Sequence, residues 1–247
     1  MNPGVGFDWG PAGARAAAGS SAALVVVDVL SFSTAVSVAA GRGTAVFPHP
    51  WPAPGAGAFA AERAAALAVR RDEVSERHPW SLSPAHLLAA PAPDRLVLPS
   101  PNGSSIAASA AGCGCVLAGC PRNATAVARW LLRAGFGTAE RPVTVIAAGE
   151  RWPDGELRPA LEDLLGASAI IAALAPQAIR SPEAAATEAV WPTQGRRLSE
   201  FLRECRSGRE LAGDGHAADV RLAGEQDAED VVPVLTDGAF VPAGAPR

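Results

Sequence analysis

The sequence predicts an α/β protein, a three-layer α/β/α arrangement around a largely parallel or mixed sheet, and three observations carry that expectation. Short apolar runs alternate with helix-like, Ala-rich segments at the spacing of βαβ units. The runs end in small hydroxyl, amide or carboxylate residues that suit strand-to-helix junctions. Of the 247 residues, 49% are hydrophobic, ample for a sizeable core, while the 25 Gly and 22 Pro fall mainly between periodic segments as loop punctuation.

Taken in order, ALVVVDVL predicts a strand near 25–29, and SFSTAVSVAAG a helix near 33–40. A strand near 45–47 precedes an Ala-rich segment expected to be helical over 58–70. The loop EVSERHPWSLSPAHLLAAPAPD then carries a Ser-Pro helix start at Ser83 and Pro84 and a Pro-rich exit before a strand near 96–98. Further strands are expected near Val116 and over 143–147. A long helix over about 159–175 has Glu162 and Asp163 in its first turn, where acidic residues suit the helix dipole. Helical segments near 182–190 and 194–205, then SGRELAGDGHAADVRLA, lead to a final strand near 231–235. No fixed-period repeat or linker interrupts residues 1–247, which read as one domain or as two closely packed α/β lobes. The ends, 1–3 and 242–247, carry no pattern.

Composition excludes several chemistries. All 21 basic residues are Arg, so a Schiff-base lysine, a P-loop lysine and a Ser-Lys dyad are ruled out. A net charge of −4, with no Arg-rich run interleaved with aromatics, argues against nucleic acid as a partner. The N-terminus lacks a basic start followed by an apolar core, and no apolar run approaches the roughly 20 residues of a membrane span. A cytoplasmic protein with no membrane partner is expected. Cys113, Cys115, Cys120 and Cys205 do not match a structural zinc spacing and read as reduced thiols.

The most informative stretch is RLVLPSPNGSSIAASAAG (95–112), an apolar strand running through Pro-Asn-Gly-Ser-Ser into a helix. A helix start leaves its first N–H groups without partners, Gly103 allows close approach, and Asn102, Ser104 and Ser105 add donors, so the junction is a natural cradle for phosphate. The same grammar recurs where 23–30 enters the helix carrying Ser33 and Thr34, and where CVLAGC (115–120) enters PRNATAVARW with Asn123. Ordinary helix capping explains any one junction. Three of them at the carboxyl ends of strands, where α/β sheets bind ligands, could converge on one site.

Asp28 ends the first strongly apolar strand and is placed to act as nucleophile, base or metal ligand. A haloacid-dehalogenase pattern would need Asp at Leu30, no Cys has Arg at the Cys-x5-Arg offset, and Arg77-His78 is followed by Pro79 where a histidine phosphatase has Gly. A Gly-x-Ser-x-Gly elbow is also missing. Metal-assisted phosphoryl chemistry remains, with Mg2+ held by hard oxygens from Asp28, Glu76, Glu162 and Asp163 and with Arg77 clamping phosphate oxygens.

DVLSFSTAV (28–36), SERHPWSLSP (75–84), SPNGS (100–104), AGCPRNATAVA (118–128) and AAGERWPDGELRPALEDLLGASAII (147–171) occur in the order found in the 2-phosphosulfolactate phosphatase family, also called ComB, which the chain resembles over most of its length. SGRELAGDGHAADV (207–220) and VVPVL (231–235) extend the resemblance. It implies an α/β/α fold and a Mg2+-dependent phosphatase that releases phosphate from 2-phosphosulfolactate, a step toward coenzyme M in methanogens. It also implies that Asp28, Asn102, Gly103, Ser104, Asn123, Glu162 and Asp163 fall in or near the site.

Two departures stand out. The family's Asp-x-x-Arg-Ala-Thr-Ser has Ser31 where its Arg belongs, and its Gly-Asn-Ser-Pro has become Ser81-Leu82-Ser83-Pro84. Arg77, Arg122 or Arg151 is expected to replace the lost cation. The resulting expectation is a phosphatase for a small phosphorylated hydroxy acid. Asp28, Glu162 and Asp163 would be catalytic, and Ser33, Thr34, Arg77, Asn102, Gly103, Ser104 and Asn123 would bind phosphate or substrate. The alternatives left open are a non-catalytic protein that binds an anionic metabolite on the same fold, and association as a homo-oligomer.

Overall fold

The computed structural model describes residues 3–52, 54–110 and 112–244. Residues 1–2 and 245–247, part of the ends expected to lack pattern, lie outside this range; Pro242 closes a strand. Strands β1 (Val5–Trp9), β2 (Ala23–Val27), β3 (Ala45–Pro50), β4 (Ala66–Leu67), β5 (Arg95–Ser100), β6 (Val116–Ala118), β7 (Val143–Ala147), β8 (Glu150–Arg151), β9 (Leu157–Arg158), β10 (Pro233–Thr236) and β11 (Ala239–Pro242) form the sheets. Helices α1 (Gly10–Ala18), α2 (Phe32–Gly41), α3 (Ala56–Glu62), α4 (Pro84–Ala89), α5 (Gly103–Ser109), α6 (Ala124–Arg133) and α7 (Leu161–Leu174) alternate with them. A helical stretch follows, made of α8 (Pro182–Glu188), α9 (Trp191–Gln194), α10 (Leu198–Glu204), α11 (Arg206–Gly213) and α12 (Ala217–Ala223).

Nine strands make one mixed, mostly parallel sheet in the order β1-β7-β2-β6-β10-β11-β3-β5-β4, with helices on both faces. The architecture is three-layer α/β/α. β1, β7, β2 and β6 are parallel, as are β3, β5 and β4, and the C-terminal hairpin β10–β11 joins the two blocks by antiparallel pairing. β2 is buried along its whole length, as a central parallel strand covered on both faces must be, which is why ALVVV reads as a continuous apolar run. The core has two parts. Val25, Val27, Val145 and Leu117 meet α6 and α7 on one face, while Leu24, Val26, Leu98 and Ile146 meet α2 and α5 on the other.

Pairing through the hairpin makes the β3-β5-β4 block run opposite to the β2 block. Strand-to-strand twist of about 20–25° accumulates over the intervening strands. α5 packs on β2, β3 and β5 together, and α2 on β3, β6, β10 and β11. The chain leaving β2 and the chain leaving β5 therefore meet, at Asp28 and Gly103.

The helix expected over 58–70 stops at Glu62. Ala64 is left-handed (φ 48°), the Arg63 guanidinium lies 3.5 Å from the centre of the Phe59 ring, and Ala66–Leu67 pairs with β5 as an edge strand. Tertiary pairing overrides the helix propensity of alanine here. The helix expected over 194–205 is broken by a 3-10 turn at Gly195–Arg197, and β1, α1 and β11, which carry weak patterns, were not anticipated. Among the described residues no helix is long and apolar enough to cross a membrane, and all four cysteines are free.

Candidate active site

Asp28 follows β2 directly and is nearly fully buried at 5% exposure. Its Oδ1 accepts the Phe32 N–H at 3.2 Å and its Oδ2 the Gly103 N–H at 2.8 Å. The expected phosphate cradle at the start of α5 is thus occupied by the protein's own carboxylate. Gly103 is required for packing rather than for a ligand, since a Cβ there would lie 2.2 Å from Cδ1 of Phe32. Burial pushes the Asp28 carboxyl up to about 6; the two backbone N–H bonds pull it down, the Glu162 charge raises it and the Arg71 charge lowers it.

Asp28 lines a cavity of about 210 Å³ together with Ser31, Arg71, Ser100, Asn102 and Glu150 on one side and Ser207, Glu210 and Asp214 from α11 and its exit on the other. Three strand ends supply the floor: β2 brings Asp28, β5 brings Ser100 and Asn102, and β7 leads through Ala148 and Gly149 to Glu150. Asn102 Nδ2 donates to Glu150 Oε2 at 3.0 Å. Burial pushes Glu150 up to about 7, with the Asp28 and Glu162 charges adding to the rise and the Asn102 and Arg158 contacts opposing it. Two carboxyls with affinities for protons near neutrality therefore share one cavity.

Arg71 supplies the cation. Its Nη2 donates to Ser31 Oγ at 2.9 Å and its Nε lies 3.4 Å from Asp219 Oδ2. Asp219, 1% exposed, is itself fixed by Ser83 Oγ at 2.6 Å and the Ala85 N–H at 3.1 Å. Among the described residues Ser100 Oγ of the cavity wall has no hydrogen-bond partner, while Arg71 Nε is held as an ion pair by Asp219 Oδ2. Buried donors without partners are uncommon, and a polar ligand is one way to satisfy them.

Of the residues expected at the site, Asp28 and Asn102 line the cavity; the others do not. Ser33 Oγ donates to Val26 O and accepts the Asp28 N–H, Thr34 Oγ1 donates to Val29 O, and Ser104 Oγ donates to Leu98 O. Asn123 closes its own turn, accepting the Cys120 N–H and donating to Ala118 O and Val231 O. These polar groups satisfy backbone, so phosphate binding is not where their hydrogen bonds go. Asp163 accepts the Val29 N–H at 2.7 Å and the Gly149 N–H at 2.9 Å, strapping the β2 exit to the β7 exit. Burial first, then the Glu162 and Asp28 charges, hold its carboxyl well above the usual range. Glu162 is 2% exposed, and burial first, then the Glu162 charge, pushes the Cys205 thiol up to about 12.

Glu76 and Arg77 sit in an exposed turn closed by reciprocal Ser75–His78 backbone bonds and border a different cavity, with Trp80 and Pro91. Of the arginines expected to compensate for Ser31, Arg122 is buried against Leu222 O, Glu225 and Glu229, and Arg151 bonds Gly155 O on an exposed hairpin. Arg71 is the arginine that lines the cavity, bonded to Ser31 Oγ. It was not singled out because nothing local ties it to Ser31, 40 residues earlier. Glu150 had a legible signal: like Asp28, it follows an apolar strand at the sheet's edge.

The expected metal set does not assemble. Among the described residues no three His, Cys, Asp or Glu side chains are grouped to hold a metal ion. The oxygen chemistry nonetheless fits Mg2+, which is commonly held by one or two carboxylates plus substrate phosphate and water. The cavity wall carries four carboxyls, Asp28, Glu150, Glu210 and Asp214, against the single guanidinium of Arg71. An entering phosphate would meet more negative charge than Arg71 alone offsets.

Residues 12–238 match the family model described as 2-phosphosulpholactate phosphatase. No curated protein matches the chain.

Proposed function

Because the chain belongs to the 2-phosphosulpholactate phosphatase family, we propose that it hydrolyses 2-phosphosulfolactate, or a related small phosphorylated hydroxy acid, in the Asp28 cavity. The observation that carries this reading is the pairing of Asp28, raised to about 6, and Glu150, raised to about 7, in one cavity with an arginine and a partnerless serine hydroxyl. Perturbed carboxyls in a cleft are a recurrent mark of acid–base sites.

Arg71 binds phosphate oxygens, and Ser100 Oγ donates to another. Glu150, held in place through Oε2 by Asn102, carries a proton near neutral pH and delivers it to the ester oxygen as the P–O bond to the alcohol breaks; the incoming water oxygen forms the new P–O bond, one of its protons staying on the released phosphate and the other returning to Glu150. Asp28, ionised above about pH 6, would hold Mg2+, which when bound neutralises phosphate charge. Asp163 and Arg71's partner Asp219 position these groups without touching substrate.

Phosphate release is to be measured from 2-phosphosulfolactate and a panel of phospho-hydroxy acids, in Mg2+ and in EDTA. Turnover in Mg2+ that EDTA abolishes supports the reading, and no release above buffer from any ester removes it. The second reading, a non-catalytic binder of an anionic metabolite, draws on the Gly103 N–H being spent on Asp28. Metabolite binding without turnover would favour it.

A further inference from the structure

A second cavity of about 480 Å³ opens beside the 210 Å³ site, and Arg71, Leu82, Pro101, Leu211 and Asp214 belong to the walls of both. The two adjoin, with Arg71 in the wall they share. The inner chamber alone is smaller than the roughly 300–1,000 Å³ usual for small-molecule sites, whereas the combined space falls within that range. The outer chamber is therefore large enough to hold a substituent bigger than the phosphorylated head.

Its walls say what kind of substituent. Trp51, Val69, Pro99 and Leu211 give it an apolar side, and Trp51 is 42% exposed there, a large aromatic surface left open to solvent. Its charges offset one another. Arg70 is bound at both Nε and Nη2 by Asp72 at 3.0 Å, and Arg71 faces Asp219, with Asp214 adding a further negative charge at the boundary. With Arg71 given to the phosphorylated head and Arg70 held by Asp72, a second strong anion such as a sulfonate finds no further guanidinium among the described residues of that wall. An uncharged, ring-sized group gains by covering Trp51 and Leu211.

We propose that the preferred substrate is a phosphate monoester of a 2-hydroxy acid bearing an apolar, ring-sized substituent, with the phosphorylated head in the Asp28 chamber and the substituent against Trp51 in the outer one. This inference rests on the phosphatase reading of the inner chamber. It assigns the outer chamber to substrate selection.

The test compares 2-phospholactate, 2-phosphosulfolactate and 2-phospho-3-phenyllactate, which share a head and differ in the substituent. Phosphate release should show kcat/KM about tenfold higher for the phenyl ester than for 2-phospholactate. Trp51→Ala should lower kcat/KM for the phenyl ester far more than for 2-phospholactate and so erase that gain, while Trp51→Phe keeps most of it. Equal rates across the three esters, preference for the sulfonate, or a gain undiminished in Trp51→Ala would overturn the inference. Calorimetric binding of phenyllactate against lactate separates it from the phosphatase reading. With no ester hydrolysed, that reading fails, yet tighter phenyllactate binding that Trp51→Ala abolishes still supports the outer chamber, and equal binding overturns it.

Discussion

Asp163 and Glu150 are both carboxyls held above their ordinary range by burial and by the same acidic neighbours, yet they do different work. Asp163 has each oxygen committed to a backbone N–H, from Val29 and from Gly149. Glu150 has one oxygen on the Asn102 amide and stands in the cavity wall. A raised affinity for protons is therefore a sign of burial in both and of chemistry in only one. What separates them is whether an oxygen still faces a space that a substrate can enter.

The sharpest way to break this distinction is at the group shared by both, Asp28, which is strapped by two N–H bonds and also lines the cavity. Asp28→Asn is expected to reduce phosphate release about 10³-fold, within the range of a positioned ionisable group. Near-native turnover would take Asp28 out of the reaction. Steady-state kinetics alongside circular dichroism separates lost chemistry from lost fold.

Glu150→Gln comes next. It keeps the Asn102 contact in part and removes the proton, so kcat should fall about 10²-fold with KM little changed. The pH profile gives the sign. Native kcat/KM should rise as Asp28 ionises through about 6 and fall as Glu150 loses its proton through about 7. The descending limb should disappear in Glu150→Gln, and a profile identical to native would exclude Glu150 as the donor.

Asp163→Asn tests the other half of the comparison. An amide can accept from one of the two N–H groups but turns its NH2 toward the second, which should cost about 2 kcal/mol of stability in chemical unfolding. Turnover per folded molecule should stay within about twofold, and a hundredfold loss without loss of stability would make Asp163 a reacting group after all.

The smallest effect concerns stability and pH. Asp28 and Glu150 hold protons in the folded state that the unfolded chain releases near 3.8 and 4.5. Between about pH 4 and 7 the unfolded chain thus binds fewer protons, and stability falls as pH rises. The melting temperature should decline over that window, and millimolar Mg2+ should restore part of it at pH 7. A melting temperature indifferent to Mg2+ would count against metal binding at Asp28.

Much of the local order was legible. β7 falls on the expected residues 143–147, and Ser83 caps α4 by accepting the His86 N–H, as the Ser-Pro signal implies. Asp28, just after β2, and Asn102, between β5 and α5, are both in the cavity wall, because the residues that leave a strand are held near the sheet edge whatever else the chain does. The roles of Ser33, Thr34, Ser104 and Asn123 were not legible. A hydroxyl or amide at a helix start can serve a ligand or the backbone, and only the packed structure shows which carbonyl lies nearer.

By itself the sequence determined the alternation of strands and helices, the buried run of β2, the family and the carboxylate at the β2 exit. All but the family, which rests on the order of short motifs along most of the chain, depend on patterns within about ten residues, where burial periodicity and capping act. Tertiary structure alone decided that Gly103 would bind Asp28 across 75 residues, that Asp163 would strap Val29 across 134, and that Arg71 would face Ser31 across 40. It also decided that a roomier, apolar chamber would open beside the charged one. The reason is geometric: twist and the hairpin β10–β11 bring the exits of two opposed parallel blocks together, and no stretch of local sequence records that meeting.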